Sequence, residues 1–275
     1  MPIEIRPITT NLGAEIFGAD LEREEDIAAV KKAFVEHSVV AIRGLELTPD
    51  NHIAFAKKWG QINVNRFFKP VEGYPQIATV LKEADQTSAI GESWHTDHSY
   101  DQIPAMGSLL YARETPDVGG DTAFASQHAA YNALSDGMKK MLGELKAWHS
   151  SRHAFGVTLA GEEAHQDGRL GNEAAATQDA LHPVIITHPL SGKKCLYVNA
   201  DFTTHFEGWT KEESQPLLNQ LYSHCSRADF TCRIRWEPGT LGIWDNRATQ
   251  HMAINDYPGK RRLMHRITIE GVPLS

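Results

Sequence analysis

Apolar and polar positions along this chain follow two periods, one helical and one extended, and each occupies its own stretches. Between residues 26 and 37, Ile27, Val30, Ala33 and Phe34 recur at the spacing that puts them on one helical face. Val39, Val40, Ala41 and Ile42 follow as an unbroken apolar run, which predicts a short buried strand. Thr48-Pro49 predicts a helix start, because a hydroxyl can cap the first turn and proline's fixed φ suits it. That helix turns Ile53, Ala56 and Trp59 inward and stops at Gly60. Residues 126–146 predict two helical pieces, capped by Ser126 and Ser135. Thr210 with Glu213 forms a capping box. The helix after it carries Leu217, Leu218, Leu221 and Tyr222, with Pro216 blurring its start. Residues 159–180 show little period and predict a mobile loop, a candidate active-site lid.

The last fifth of the chain changes period. Phe230, Cys232, Ile234 and Trp236 alternate strictly with Thr231, Arg233, Arg235 and Glu237, the signature of a half-buried strand. Pro238-Gly239 makes a turn, and Leu241–Trp244, Thr249–Ile254 and Leu263–Glu270 predict further strands. Short strands with helices before and between them predict a mixed α and β fold, a sandwich or jelly roll under helical cover. No repeat or Pro/Ser-rich linker interrupts the 275 residues, so one domain spanning 1–275 is expected, with active-site loops near 61–93 and 150–182.

Composition narrows the function classes. The net charge of −8 argues against a nucleic-acid partner, which would need a basic footprint. No apolar window is long enough for a membrane span, and the N-terminus lacks a signal-peptide core. Three cysteines without a CxxC pair support neither a disulfide framework nor a zinc ribbon, so a cytoplasmic setting is expected. A homo-oligomer is left open. The 14 histidines are the compositional feature that bears on chemistry, since imidazole is the commonest metal ligand.

In Trp94-His95-Thr96-Asp97, an extended chain puts His95 and Asp97 on the same side, about 6–7 Å apart along the strand, with Thr96 pointing away. An imidazole and a carboxylate so placed can take two vertices of an octahedral metal, and a 2-His-1-carboxylate set leaves positions open, as non-haem Fe(II) oxygenases need. Among 14 histidines an HxD also arises by chance. Further on, Trp244 to His251 lies in the β region and is followed by Arg261-Arg262-Leu263-Met264-His265-Arg266. Arg262, Met264 and Arg266 share parity, so both guanidiniums face one side, either water or an interior that must supply anions. A dicarboxylate would fit the second case. Gly119-Gly120-Asp121-Thr122 is either a plain turn or one that delivers a threonine hydroxyl to a carboxylate.

Together these motifs resemble the taurine/aryloxyalkanoate dioxygenase (TauD/TfdA) family of Fe(II)- and 2-oxoglutarate-dependent enzymes. The resemblance runs over nearly the whole chain: Leu12–Ile16 and Gly18–Leu21, WHTD at 94–97, GGDT at 119–122, THPLSGKKCLYVN at 187–199, FTCRIRW at 230–236, WDNRATQH at 244–251 and RRLMHR at 261–266. It implies a double-stranded β-helix, a cupin-like jelly roll with flanking helices. It implies that His95, Asp97 and His251 bind iron, that Thr122 and Arg262 bind 2-oxoglutarate, and that Arg266 lies near both the co-substrate and the acid group of a small anionic substrate. O2 and 2-oxoglutarate would be consumed to give succinate, CO2 and a hydroxylated product. Halogenating relatives lack the carboxylate that Asp97 supplies.

The taurine enzymes grip their substrate with a His, a Tyr and an Asn, where this chain has Asn65, Phe68 and Gly91. All three differ, which argues against taurine itself. His98, Phe155 and Phe202 are the other implied pocket positions, and an aromatic-lined pocket ending at Arg266 suits a bulkier apolar acid. The expected function is hydroxylation of a sulfonate, an aryloxyalkanoate or a similar acid. Desaturation or cyclisation by the same chemistry, and a non-redox cupin-type metal-binding protein, are the alternatives. Of the other histidines, His149 and His153 are read as core or surface with a pocket role open, and Met138 and Met141 as core packing.

Overall fold

A computed structural model describes residues 2–156 and 163–275. Its centre is a nine-stranded, mainly antiparallel sheet. The strand order is Glu4–Pro7, Ala14–Phe17, Val39–Ile42, Leu241–Asp245, Gly107–Glu114, Arg262–Ile269, Tyr74–Lys82 and Pro70–Val71, with Ile62–Asn63 also paired to Arg262–Ile269. A second sheet of Thr231–Ile234, Thr122–Ser126 and Thr249–Ala253 faces it. This is a jelly roll with flanking helices.

Period-two side-chain alternation explains why both faces of the large sheet are apolar. Val40, Ile42, Leu109, Tyr111, Leu241, Ile243, Ile267 and Ile269 project to one side and pack under the helices Glu24–His37 and Pro49–Lys57. Val39, Ala41, Leu110, Ala112, Trp244 and Met264 project to the other and meet Phe124, Cys232, Ile234 and Trp236. The apolar run Val39–Ile42 is therefore a strand buried on both faces. A third core lies under the helix Lys211–Cys225, where Leu218, Leu221 and Cys225 pack on Ala147, Val184 and Phe206.

The predicted caps are made: Thr48 accepts from the Asn51 amide, Ser126 from Ala129, Ser135 from Met138, and Thr210 with Glu213 closes its capping box. The helical reading of 126–146 runs too long. The second piece ends at Gly143, and Lys146–Ser150 is a strand paired on both sides. The stretches expected as loops are also more ordered. Residues 61–93 contain the nine-residue strand Tyr74–Lys82, and residues 150–182 contain the short helices Arg152–Phe155 and Glu163–Gln166 and the strand Asp179–Pro183. The part of the expected lid at 159–162 lies outside the described residues. Met138 packs against the third core, but Met141 is exposed. All three cysteines are buried and free. No helix among the described residues is long and apolar enough to cross a membrane.

Candidate active site

The strand Thr249–Ala253 meets the extended segment around His95 in an antiparallel bridge. The His95 amide donates to the His251 carbonyl (3.1 Å) and the His251 amide to the His95 carbonyl (2.8 Å). Residues so paired project to the same side, and the two imidazoles lie with centroids 4.1 Å apart. Two residues on, Asp97 falls on that side as well. Its Oδ1 is 3.8 Å from His95 Nε2 and its Oδ2 is 3.8 Å from His251 Nε2. Thr96 points away, and its hydroxyl donates to the Thr249 carbonyl (2.9 Å). Ligand atoms of His95, Asp97 and His251 all lie within 4.8 Å of one another, and all three residues are buried.

The protonation states suit a divalent cation. His95 Nδ1–H donates to the Ser93 carbonyl (2.8 Å), which leaves the Nε2 lone pair facing Asp97. Burial pushes the His251 imidazole well below its ordinary pKa, so it is neutral. Burial opposes ionisation of Asp97, but the Arg266 guanidinium outweighs it and holds the carboxyl well below the usual carboxylate range. Two imidazoles and one carboxylate on one side of a cavity are the donor set that Fe(II) takes with positions left open. Asp97 is further fixed by Ser108, whose hydroxyl donates to Oδ2 (2.9 Å), and by Arg266 Nη1, which donates to Oδ1 (3.2 Å).

The hairpin that delivers His251 is braced from behind. Arg247 forks onto Asp245 (Nε to Oδ1, 2.9 Å; Nη2 to Oδ2, 2.7 Å), and His188 Nε2 reaches Asp245 Oδ2 at 2.9 Å. The Thr249 hydroxyl donates to the Asp245 carbonyl. This buried ion pair was missed in the sequence, where only the WDNR string marked it.

Gly119-Gly120-Asp121-Thr122 is a tight turn at φ +84° and +72° in its glycines, which leads into the strand Thr122–Ser126. Asp256 Oδ1 accepts from the Gly120 amide (2.7 Å), and Arg262 Nε donates to the Gly120 carbonyl (3.1 Å). The turn thus docks onto Arg262, whose guanidinium lies 5.8 Å over the Trp236 ring. Trp236 Nε1 donates to Thr122 Oγ1 (2.9 Å), which leaves that hydroxyl's own proton to give. Arg262, Met264 and Arg266 share the buried face of their strand, and Leu263 and His265 lie on the other.

These groups surround one cavity of about 430 Å³, and every residue expected in the site lines it. Phe68 lies under Arg266, the guanidinium 4.3 Å from the ring centroid. Phe155 and Phe202 stack at 5.9 Å, and Tyr100 meets Phe202 edge-on at 4.9 Å. Asn65 Oδ1 accepts from the Phe67 and Phe68 amides, so its Nδ2 faces His98 Nε2 at 3.4 Å. His98 sits at φ +59°, with Nδ1 on Asp101 Oδ2 (3.0 Å), and Arg66 holds that carboxylate. Gly91, at φ +83°, packs against the His95 ring: a Cβ there would stand 2.9 Å from His95 Cε1. His149 is core, and His153 lines the cavity. Tyr100, Asp201 and Ser93 also line it and were not anticipated. Nothing in their local sequence marks them, because they converge only through the fold.

Comparison with known proteins agrees with this geometry. The family model described as "Taurine catabolism dioxygenase TauD, TfdA family" matches residues 4–268. The chain is 33% identical over 280 residues to an alkylsulfatase of Acinetobacter baylyi, covering 98% of this chain and 85% of that protein. It is 31% identical to an alpha-ketoglutarate-dependent sulfate ester dioxygenase of Pseudomonas putida, covering 98% and 90%. A crystal structure of a taurine dioxygenase from Burkholderia xenovorans superposes with a TM-score of 0.82 at 29% identity, covering 98% of this chain and 89% of that one.

Proposed function

The chain belongs to the TauD/TfdA family and is an Fe(II)- and 2-oxoglutarate-dependent dioxygenase, and from that premise we propose that its substrate is an alkyl sulfate ester or a closely similar small acid with an apolar tail. The observation that carries this reading is a single cavity in which a His-Asp-His cluster, two buried arginines and aromatic walls converge. Iron with 2-oxoglutarate and O2 supplies the oxidation, giving succinate, CO2 and a hydroxylated carbon.

The chain's residues do the rest. His95, Asp97 and His251 hold the iron. Arg262 and the Thr122 hydroxyl take the far carboxylate of 2-oxoglutarate, a bidentate cation and a fixed donor on one anion. Arg266, stacked on Phe68, faces the head group of the substrate. Phe155, Phe202 and Tyr100 enclose the tail and exclude water. Gly91 offers no side chain and Phe68 no hydroxyl, so the contacts that the taurine enzymes make with an Asn and a Tyr at these positions are missing, which favours an alkyl chain over taurine. Hydroxylation of the carbon bearing the sulfate gives a hemiacetal sulfate, which collapses to an aldehyde and releases sulfate. Asn65 and His98 shape the pocket wall beside it.

A panel of alkyl sulfates, sulfonates, aryloxyalkanoates and amino acids, scored for substrate-coupled succinate release, tests the proposal. Alkyl sulfates should couple best and yield aldehyde and sulfate. Coupling by another class alone overturns the substrate, and loss of two hydrogens without oxygen gain in the product overturns hydroxylation.

A further inference from the structure

The strand Tyr74–Lys82 pairs antiparallel with Arg262–Ile269 in the register Ala78–Arg266, Val80–Met264 and Lys82–Arg262. Residues directly opposite on antiparallel strands project to the same side. Ala78, Val80 and Lys82 therefore share the face of Arg266, Met264 and Arg262. Val80, Arg262 and Arg266 line the cavity, which identifies that face as the interior one. Three cations thus stand on one sheet face inside the jelly roll, and each is buried: Lys82 is 3%, Arg262 6% and Arg266 7% exposed.

Their partners differ. Arg266 has Asp97. Among the described residues, no carboxylate lies within ion-pair distance of Arg262 or Lys82. Asp121 is near enough to be felt by Arg262 but forms no ion pair with it, and Asp256 is spent on the Gly120 amide. The Lys82 ammonium rests on the face of Tyr257, 4.6 Å from the ring centroid. The other edge of this small cluster is Gly120, where a Cβ would stand 3.3 Å from both Tyr257 Cδ1 and Arg262 Cδ. Like charges directly opposite across a strand pair repel, and burying them without an anion costs more. Such a pair is stable where an anion enters between or beside the two cations.

We infer that Lys82 is the second cation of the co-substrate subsite: with Arg262 it sets a local charge of +2 that selects a 2-oxo acid bearing a distal carboxylate. Lys82 lies one pleat beyond the cavity wall and acts across Tyr257, so it is a positioning charge rather than a contact. Arg262 grips the carboxylate, and Lys82 deepens the potential in which that grip is made. This rests on the proposed placement of 2-oxoglutarate at Arg262.

The test compares two ligands that differ only at the distal end, 2-oxoglutarate and 2-oxopentanoate, titrated anaerobically into the Fe(II)-loaded protein and followed by the visible charge-transfer band. Lys82→Met, near-isosteric and neutral, should raise the dissociation constant for 2-oxoglutarate by about tenfold, from a unit charge at roughly 10 Å in an effective dielectric near 20. It should leave that for 2-oxopentanoate within about twofold. Lys82→Gln carries the same expectation if the Met variant melts early. Equal weakening of both ligands, or of neither, overturns the inference. If the unmodified protein binds no 2-oxoglutarate, the failure belongs to the proposed function rather than to Lys82.

Discussion

Gly91→Ala places one methyl group where the structure leaves no room for it, and two separable costs follow. The first is backbone strain. Gly91 sits at φ +83°, a region where an L-residue costs about 1–2 kcal/mol. For a chain of this size that is a loss of about 2–8 °C in melting temperature. The second is contact. The new Cβ would stand 2.9 Å from His95 Cε1, against about 3.5 Å for relaxed carbon neighbours, so ring and loop must part by roughly 0.6 Å. The loop resists, because the Gly91 carbonyl accepts from the Ala253 amide (2.7 Å). The ring therefore gives, and a shift of that size exceeds the roughly 0.5 Å within which a metal ligand must be held. Iron affinity should fall about tenfold or more. Gly73→Ala is the control: its φ is +77° and nothing lies within 4 Å of its Cβ, so it carries the strain without the contact. Scanning calorimetry of the metal-free proteins and anaerobic Fe(II) titration read the two costs separately. Both variants should melt early, and only Gly91→Ala should lose iron. If Gly91→Ala binds iron as the parent does, the packing of this loop on His95 is not what positions the ligand.

Other substitutions probe the remaining links. Asp245→Asn leaves Arg247 and His188 without their buried anion and should destabilise the fold by about 3–5 kcal/mol, measured by urea unfolding. Arg262→Lys loses the fork and its bond to the Gly120 carbonyl, so the 2-oxoglutarate KM should rise by more than about tenfold, read from initial rates of succinate release. His52 is fully buried with neither ring nitrogen partnered, and burial pushes its pKa down to about 3 from 6.5. Below pH 6.5 only the unfolded state takes this proton, so stability falls as pH drops from 6.5 towards 3. His52→Leu should thus gain about 2 kcal/mol more, relative to the parent, at pH 5 than at pH 8 in urea melts. Asp97 and Asp245 have depressed pKa values and act in the same direction lower down: their stabilisation is present above pH 4 and lost as pH falls further.

The metal cluster was legible because period two is a rigid rule. Once Trp94–Asp97 is extended, His95 and Asp97 must share a side and Thr96 must leave it. The same rule put Arg262, Met264 and Arg266 on one face, and the structure keeps that face buried. What the sequence could not carry was which strands lie beside one another. The bridge between His95 and His251, the brace of His188 and Arg247 on Asp245, and the approach of Asp201 to His95 (3.7 Å) join segments far apart in the chain. The strand Tyr74–Lys82 escaped for a local reason. Pro75 sits near its start, where proline argues against a central strand, and the face away from the cavity mixes exposed Pro75, buried Ile77 and half-buried Thr79 and Leu81, so no clean alternation appears. Missing that strand hid Lys82, since its parity has meaning only against Arg262.

The charge distribution shows how an acidic protein comes to hold anions. A net charge of −8 repels a dicarboxylate from most of the surface, so affinity must be local. The sheet supplies it by register: Lys82, Arg262 and Arg266 stand on one interior face, and among the described residues Asp97 is the one carboxylate paired with any of them. Asp97 is also the only carboxylate in the metal cluster. Iron held at Asp97 would share that carboxylate with Arg266, which would leave the guanidinium capacity for a second anion. Arg266 Nε, already buried without a partner, points the same way. On the proposed placements, iron would draw on Asp97, 2-oxoglutarate would neutralise the Arg262 end, and the substrate's acid group would balance the charge at Arg266.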